Sequence, residues 1–293
     1  MKLWAPEGGT SCVAVYKGHR EAVSHMSFLW SREWVCSSDS EVHLFDIESQ
    51  HKLHCLRGTL RSGHQSSITA SLALSASAPH MSPSGSGMVV VATTAKYPGP
   101  VAVKMTDLRS ASRALEWHLP PAVNDTKVLA QGSACVWLGS HTGQICQLDL
   151  RSGMVRRWWQ GHQGSVSGLL VRDGSLISAS ADKTVAVWRV ESDMLRTSRC
   201  WDESWSASPP LATWGGKENA SRLFLTDPVV AVDSIGSKMA AAVAGGIVLA
   251  DAPHSVSQSR LRHVRSSILS LAVMPYSRAL FVGCEDGKIR CCY

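Results

Sequence analysis

The chain is poor in the features that mark several common classes. Phe and Tyr occur only four times each, against eleven Trp, and charged residues make up 18% of the 293 positions. No apolar run is long enough to span a bilayer as a helix. The opening Met1-Lys2-Leu3-Trp4 passes directly into Ala5-Pro6-Glu7-Gly8-Gly9, so no secretory leader is spelled there. Nine Cys are present, an odd number, and no two are spaced as CxxC. Neither a disulfide framework nor a zinc ribbon is therefore expected. His51, His54 and Cys55 carry ligand chemistry, but no second cluster completes a zinc site. Cys36, Cys135, Cys146 and Cys284 lie inside strand-like runs and are expected as small buried hydrophobes in a reducing, cytoplasmic setting. The sequons at Asn124 and Asn219 carry no weight without a leader.

Catalytic signatures are missing too. There is no phosphate-binding Gly-rich loop, since Gly215-Gly216-Lys217 lacks the spacing and is followed by Glu218. A nucleophile elbow and a zinc-protease helix are also lacking. The net charge is +6 without a long basic block. Short clusters at Arg156-Arg157 and at Arg260, Arg262, His263 and Arg265 read as solvated surface.

The most regular stretch is 161–189, GHQGSVSGLLVRDGSLISASADKTVAVWR. Segments 166–171, 176–180 and 185–188 are short runs rich in β-branched residues, parted by turns at Asp173-Gly174 and Asp182-Lys183. Their alternation is imperfect, as in a sheet covered on both faces. Gly-His at the start, Ser-x-Ser-x-Asp in the middle and Trp at the end resemble a WD40 repeat, one four-stranded blade of a β-propeller. That resemblance implies a hydrogen-bonded chain of His162, Ser180, Asp182 and Trp188. A Ser-His-Asp catalytic triad is the competing interpretation of the same letters. The indole at the Ser end and the lack of an oxyanion-hole motif speak against it.

Weaker copies surround this repeat. Gly18-His19 opens one that runs to about Arg57, with Phe45-Asp46 where the family has Trp-Asp. Phe45 stands six residues after Asp39, as Trp188 does after Asp182, but a phenyl ring donates no hydrogen bond. Further copies have strands at 68–74, 88–93 and 101–107, then at 128–130, 135–138, 145–149 and 154–159. Two more use 229–232, 239–244 and 247–251, then 268–274, 280–284 and 289–293. Third-strand centres fall near Leu3, Leu44, Val103, Cys146, Val187, Val248 and Arg290. The expected fold is all-β: a single WD40 propeller over 1–293 with about seven blades, the N-terminal one truncated to Lys2-Leu3-Trp4 and 12–17. A six-bladed alternative would close by using 12–17 to complete the last blade. Segment 75–87 reads as a flexible loop, and 191–228 as an irregular insertion that also supplies an outer strand.

The segments at 19–50, 150–189 and 267–293 also resemble the C-terminal propeller of the BEACH–WD40 family. The resemblance implies a non-enzymatic scaffold at endosomes and lysosomes, in membrane trafficking and autophagy. A member of the family works there with a second WD-repeat protein to restrain a phosphatidylinositol 3-kinase. It implies protein partners, peripheral membrane association if any, and no cofactor, metal, nucleic acid or small-molecule substrate. Trp201, Trp205 and Trp214 are the candidate partner-binding anchors. The alternatives are a generic WD40 adaptor and a phosphoinositide-binding propeller using the Arg260 cluster.

Overall fold

A computed structural model describes residues 1–4, 11–29, 34–38, 41–56, 66–74, 88–95, 102–107, 113–120, 123, 125–172, 174–189, 212–214, 227–235, 238–243, 246–251, 255–261, 264, 266–274 and 279–292. Among them the chain is all-β, and no helix is long and apolar enough to cross a membrane. The strands pair antiparallel in seven sheets, in the order they occur along the chain.

The first sheet has two strands, β1 (Lys2–Trp4) and β2 (Cys12–Val15), with Leu3 opposite Ala14. The second holds β3 (His25–Leu29), β4 (Trp34–Ser38), β5 (Val42–Asp46) and β6 (Lys52–Leu56). The third holds β7 (Ser66–Leu74), β8 (Met88–Ala95), β9 (Ala102–Asp107) and β10 (Arg113–His118). In the fourth are β11 (Val128–Gln131), β12 (Cys135–Gly139), β13 (Gln144–Asp149) and β14 (Val155–Gln160). The fifth is β15 (Val166–Arg172), β16 (Ser175–Ser180), β17 (Val185–Arg189) and β18 (Ala212–Trp214). The sixth is β19 (Val229–Ile235), β20 (Lys238–Val243), β21 (Gly246–Asp251) and β22 (Ser255–Leu261). The seventh has three described strands, β23 (Ile268–Val273), β24 (Leu280–Cys284) and β25 (Ile289–Cys292).

Each of the seven predicted third-strand centres falls inside a strand, from Leu3 in β1 to Arg290 in β25. Strands β10 and β22 were not anticipated. The outer strand of the fifth sheet is drawn from 212–214, inside the expected insertion, with Val185 opposite Trp214. The rest of 191–226 and all of 75–87 lie outside the described residues. The six-bladed alternative finds no pairing in its favour among the described strands. Cys12–Val15 is bonded to Lys2–Trp4, and β25 has β24 as its neighbour.

By its internal contacts the chain divides into two compact units, Met1–Val136 with Gln147–Arg156, and Trp137–Cys146 with Arg157–Tyr293, so the fourth sheet carries residues of both. In the second unit the sheets stack face to face. Ile177, Ala179, Val185 and Val187 pack on Val229, Met239, Ala241 and Val243. On its other face the sixth sheet presents Ala240, Ala242 and Ile247 to Ile268, Leu280 and Val282 of the seventh. Successive residues of a strand point to opposite faces, so the run Ala240-Ala241-Ala242 serves both layers, and all three are buried. Small side chains there let two neighbours approach the same strand. Burial on both faces also explains why apolar–polar alternation is weak along these strands.

A shared irregularity ties four sheets together. The register slips by one residue near the start of the leading strand in β7 (Ile68/Ala70), β15 (Val166/Gly168), β19 (Val229/Ala231) and β23 (Ile268/Ser270). A bulge at the same place in each copy is a repeat of conformation, not of letters, and it sharpens the local twist.

In the first unit, Ala14 and Tyr16 pack on Phe45, the rings of Tyr16 and Phe45 meeting edge-on at 5.5 Å. The Tyr16 hydroxyl donates to the Ile47 carbonyl at 3.1 Å.

Candidate functional site

The fifth sheet holds a buried chain of polar side chains. His162 precedes β15, Ser178 lies within β16, Asp182 and Thr184 shape the turn to β17, and Trp188 lies within β17. The Trp188 indole N–H donates to Ser178 Oγ at 2.8 Å. Ser178 Oγ lies 2.7 Å from His162 Nε2. On its other side, His162 Nδ1 lies 3.1 Å from Asp182 Oδ2 and 2.9 Å from Thr184 Oγ1. Thr184 donates to Asp182 Oδ1 from both its hydroxyl (2.6 Å) and its backbone N–H (2.9 Å), and the Gln163 N–H reaches Oδ2 at 2.9 Å.

One proton arrangement satisfies every member. The indole donates to Ser178, Ser178 donates to His162 Nε2, and His162 donates from Nδ1 to the carboxylate. Burial pushes the Asp182 carboxyl upward, but the hydrogen bonds from His162, Thr184 and Gln163 outweigh it and hold the group down at about 2.

The hydroxyl in this chain is that of Ser178, which corrects the expectation of Ser180. The reason is register. Ser178 lies opposite Ala186, diagonal to Trp188, and diagonal neighbours on one face are within reach of an indole. Ser180 shares that face but sits two residues, or about 6.6 Å, farther along the strand. It serves the turn instead, accepting from Asp182 N–H at 3.1 Å and donating to the Gly164 carbonyl at 3.0 Å. Thr184 was not anticipated; its place two residues after the turn Asp, in Asp-x-Thr, is the sequence signal that could have found it. The structure brings His162, Asp182 and Trp188 into the one chain.

Two glycines make room for the chain. A Cβ on Gly161 would come within 2.6 Å of Ile145 Cδ1. Gly143 has φ +90°, and a Cβ there would fall 2.1 Å from the His162 carbonyl oxygen. Its own carbonyl accepts from the N–H groups of both Gly161 and His162, at 3.1 and 3.0 Å, and so fixes the entry of the histidine.

An aromatic ladder backs the site. Trp188 meets Trp159 at 5.3 Å, and Trp159 meets Trp137 at 6.0 Å, both edge to face. The Arg157 guanidinium lies 5.2 Å from the Trp137 ring centre and 5.6 Å from that of Trp159. Here the skewed use of Trp has a structural purpose.

The second sheet builds the same place differently. Val35 lies opposite Phe45 and Ser37 opposite His43, the register that Leu176–Trp188 and Ser178–Ala186 show in the fifth. His43 thus stands where the fifth sheet has Ala186. Its ring stacks on His19, the histidine of the local Gly-His, with centres 4.1 Å apart and planes 17° apart. Both imidazoles also lie against the Phe45 ring, with centres 6.2 and 6.0 Å from it. The Asp of Phe45-Asp46 caps the following turn, accepting from Ser49 N–H and hydroxyl at 2.7 and 2.9 Å.

Trp201 and Trp205 lie outside the described residues, and Trp214 is described by its backbone alone, as the last residue of β18. Arg260 lies on β22 opposite Val248, while Arg262, His263 and Arg265 fall outside the described residues.

Comparison with known proteins agrees with this geometry. The family model "WD domain, G-beta repeat" matches residues 10–46 and 153–189, which contain the stacked pair and the whole polar chain. The chain is similar to WD repeat-containing protein 81 of Danio rerio, 26% identical over 287 residues and 94% of this chain. It is similar also to that of Rattus norvegicus, 27% identical over 293 residues and 96% of this chain. It spans only 12% and 13% of those two relatives. Among solved structures it is similar in fold to the computationally designed Ika8 protein, with a TM-score of 0.64, 20% identity, all of this chain and 77% of the other covered. The chain thus carries WD40 repeats at 10–46 and 153–189, and its antiparallel sheets, with the polar chain of the fifth, are consistent with the blades of a WD40 β-propeller.

Proposed function

We propose that the chain is a non-enzymatic protein-interaction scaffold, working in endosomal and lysosomal membrane trafficking and autophagy as the propeller of a BEACH–WD40 protein. The observation that carries the non-enzymatic part is how the triad-like residues are used. His162, Ser178 and Asp182 all spend their polar atoms on one another, on Trp188 and on Thr184. His162 and Ser178 are buried, so the Ser178 hydroxyl is not presented to a substrate. Rigid sheets joined by variable loops suit the recognition of other proteins. The trafficking assignment is supported by the similarity to WD repeat-containing protein 81 along most of this chain and by the resemblance to BEACH–WD40 propellers. The partner proposed is a second WD-repeat protein, met on the cytoplasmic side of endosomal or lysosomal membranes.

The test is to delete 1–293 in cells from the protein that contains it. Loss of partner capture, a rise in endosomal phosphatidylinositol 3-phosphate and slower clearance of autophagic cargo are the expected outcome. Unchanged lipid and cargo would leave a generic WD40 adaptor.

A further inference from the structure

We propose that Glu41, His43 and Cys55 form a binding site for a borderline divalent metal ion, zinc foremost. Strand alternation and register assemble it. His43 on β5 lies directly opposite Cys55 on β6, so both side chains share one face. Glu41, two residues before His43, joins them there. The sequence pattern instead grouped His51, His54 and Cys55. His54 pairs with Leu44, so it points to the opposite face from Cys55, and His51 precedes the strand.

Two of the three donor separations already match what a metal needs, and the third lies within 4.8 Å. Glu41 Oε2 lies 3.3 Å from His43 Nε2 and 3.3 Å from Cys55 Sγ, and the three atoms lie within 4.8 Å of one another. Tetrahedral zinc with bonds of about 2.0–2.3 Å sets its ligands about 3.3–3.6 Å apart. An ion therefore replaces the proton-mediated contacts with little movement of the side chains. Binding releases the Cys55 thiol proton to solvent. The carboxylate, the thiolate and a neutral imidazole then balance the two positive charges, so a neutral site forms in a half-buried place.

The surroundings fit as well. The His43 side chain is 1% exposed and that of Glu41 16%, which gives one anchored ligand and one reachable from solvent. The stacked His19 ring fixes the His43 imidazole. Three protein ligands leave a fourth position for water or for a group brought by a partner.

Cobalt and zinc titrations of the reduced 293-residue chain test this. The expected result is one equivalent of cobalt with a thiolate charge-transfer absorption, displaced by zinc, and a zinc-dependent rise in Tm. Cys55→Ser should abolish the charge-transfer absorption and the Tm shift, and weaken zinc binding by more than about tenfold, the lower end of what even outer partners contribute. Glu41→Gln should weaken binding to a similar extent and keep the absorption at saturating cobalt. Cys12→Ser, on β2, should behave as the wild type. The site is overturned by a folded wild type that takes up no cobalt, by an absorption that survives Cys55→Ser, or by unchanged affinity in Glu41→Gln.

Discussion

Ser178 is the residue on which the polar chain of the fifth sheet turns. It takes the indole hydrogen of Trp188 and lies in bonding contact with His162. Ser178→Ala strands both partners in a buried place, and the expected cost is about 1–3 kcal/mol in denaturant unfolding. Ser180→Ala also removes hydrogen bonds, so stability alone does not separate the two serines. The indole N–H resonance of Trp188 does: it should shift strongly in Ser178→Ala and little in Ser180→Ala. The reverse result would restore Ser180 to the chain. Asp182 gives the site an acid limit. Its folded-state value of about 2 is depressed from the ordinary 3.8, so its contribution is fully present above about pH 4 and fades as the pH falls toward 2. Discounted for partial exposure, that contribution is about 1–2 kcal/mol. Asp182→Asn should flatten stability between pH 4 and 2, as seen by thermal melts across that range.

At the scale of the element, each sheet is held by its turns as much as by its strands. Gly143 and Gly161 bracket the entry of His162, yet they should respond differently to a methyl group. At Gly161 the obstacle is the tip of the Ile145 side chain, which can move aside. At Gly143 it is the His162 backbone carbonyl, and the φ of +90° adds strain. Gly143→Ala is expected to lower the unfolding midpoint more than Gly161→Ala, the latter costing about 1–3 kcal/mol as an overpacked core does. Equal effects would mean that the backbone there yields as readily as a side chain. The second sheet shows how far a repeat can drift while keeping its place. Phe45 ends the hydrogen-bonded chain, because a phenyl ring has no donor, and the stacked His19 and His43 fill the same space. The proposed ligands Glu41, His43 and Cys55 gather in this same sheet, around one of the two stacked imidazoles.

Across the whole molecule, the repeat is carried by conformation more than by letters. The shared bulge in β7, β15, β19 and β23 recurs with four different residue pairs. The proposed partner-binding anchors are Trp201, Trp205 and Trp214, the last of them on β18. Replacing Trp201, Trp205 and Trp214 together with Ala is expected to weaken partner capture by at least about tenfold, as loss of aromatic anchors does, while Tm stays within a few degrees. A large fall in Tm would assign these indoles to the core.

What the sequence by itself determined is what depends on neighbours along the chain. Short β-branched runs, Gly and Asp turns, the Gly-His to Trp spacing and the count of third strands are local signals, and each third strand stands where it was expected. Tertiary structure decided what depends on register. Ser178 and Ser180 sit on one face of one strand with the same chemistry, and only the pairing of β16 with β17 shows which lies diagonal to Trp188. His54 and Cys55 are adjacent in the chain but face opposite ways, and only the pairing of β5 with β6 brings Cys55 to His43. A strand's side-chain period is two, so a slip of one residue exchanges the faces, and that slip is fixed by hydrogen bonds between strands that no single stretch of sequence contains.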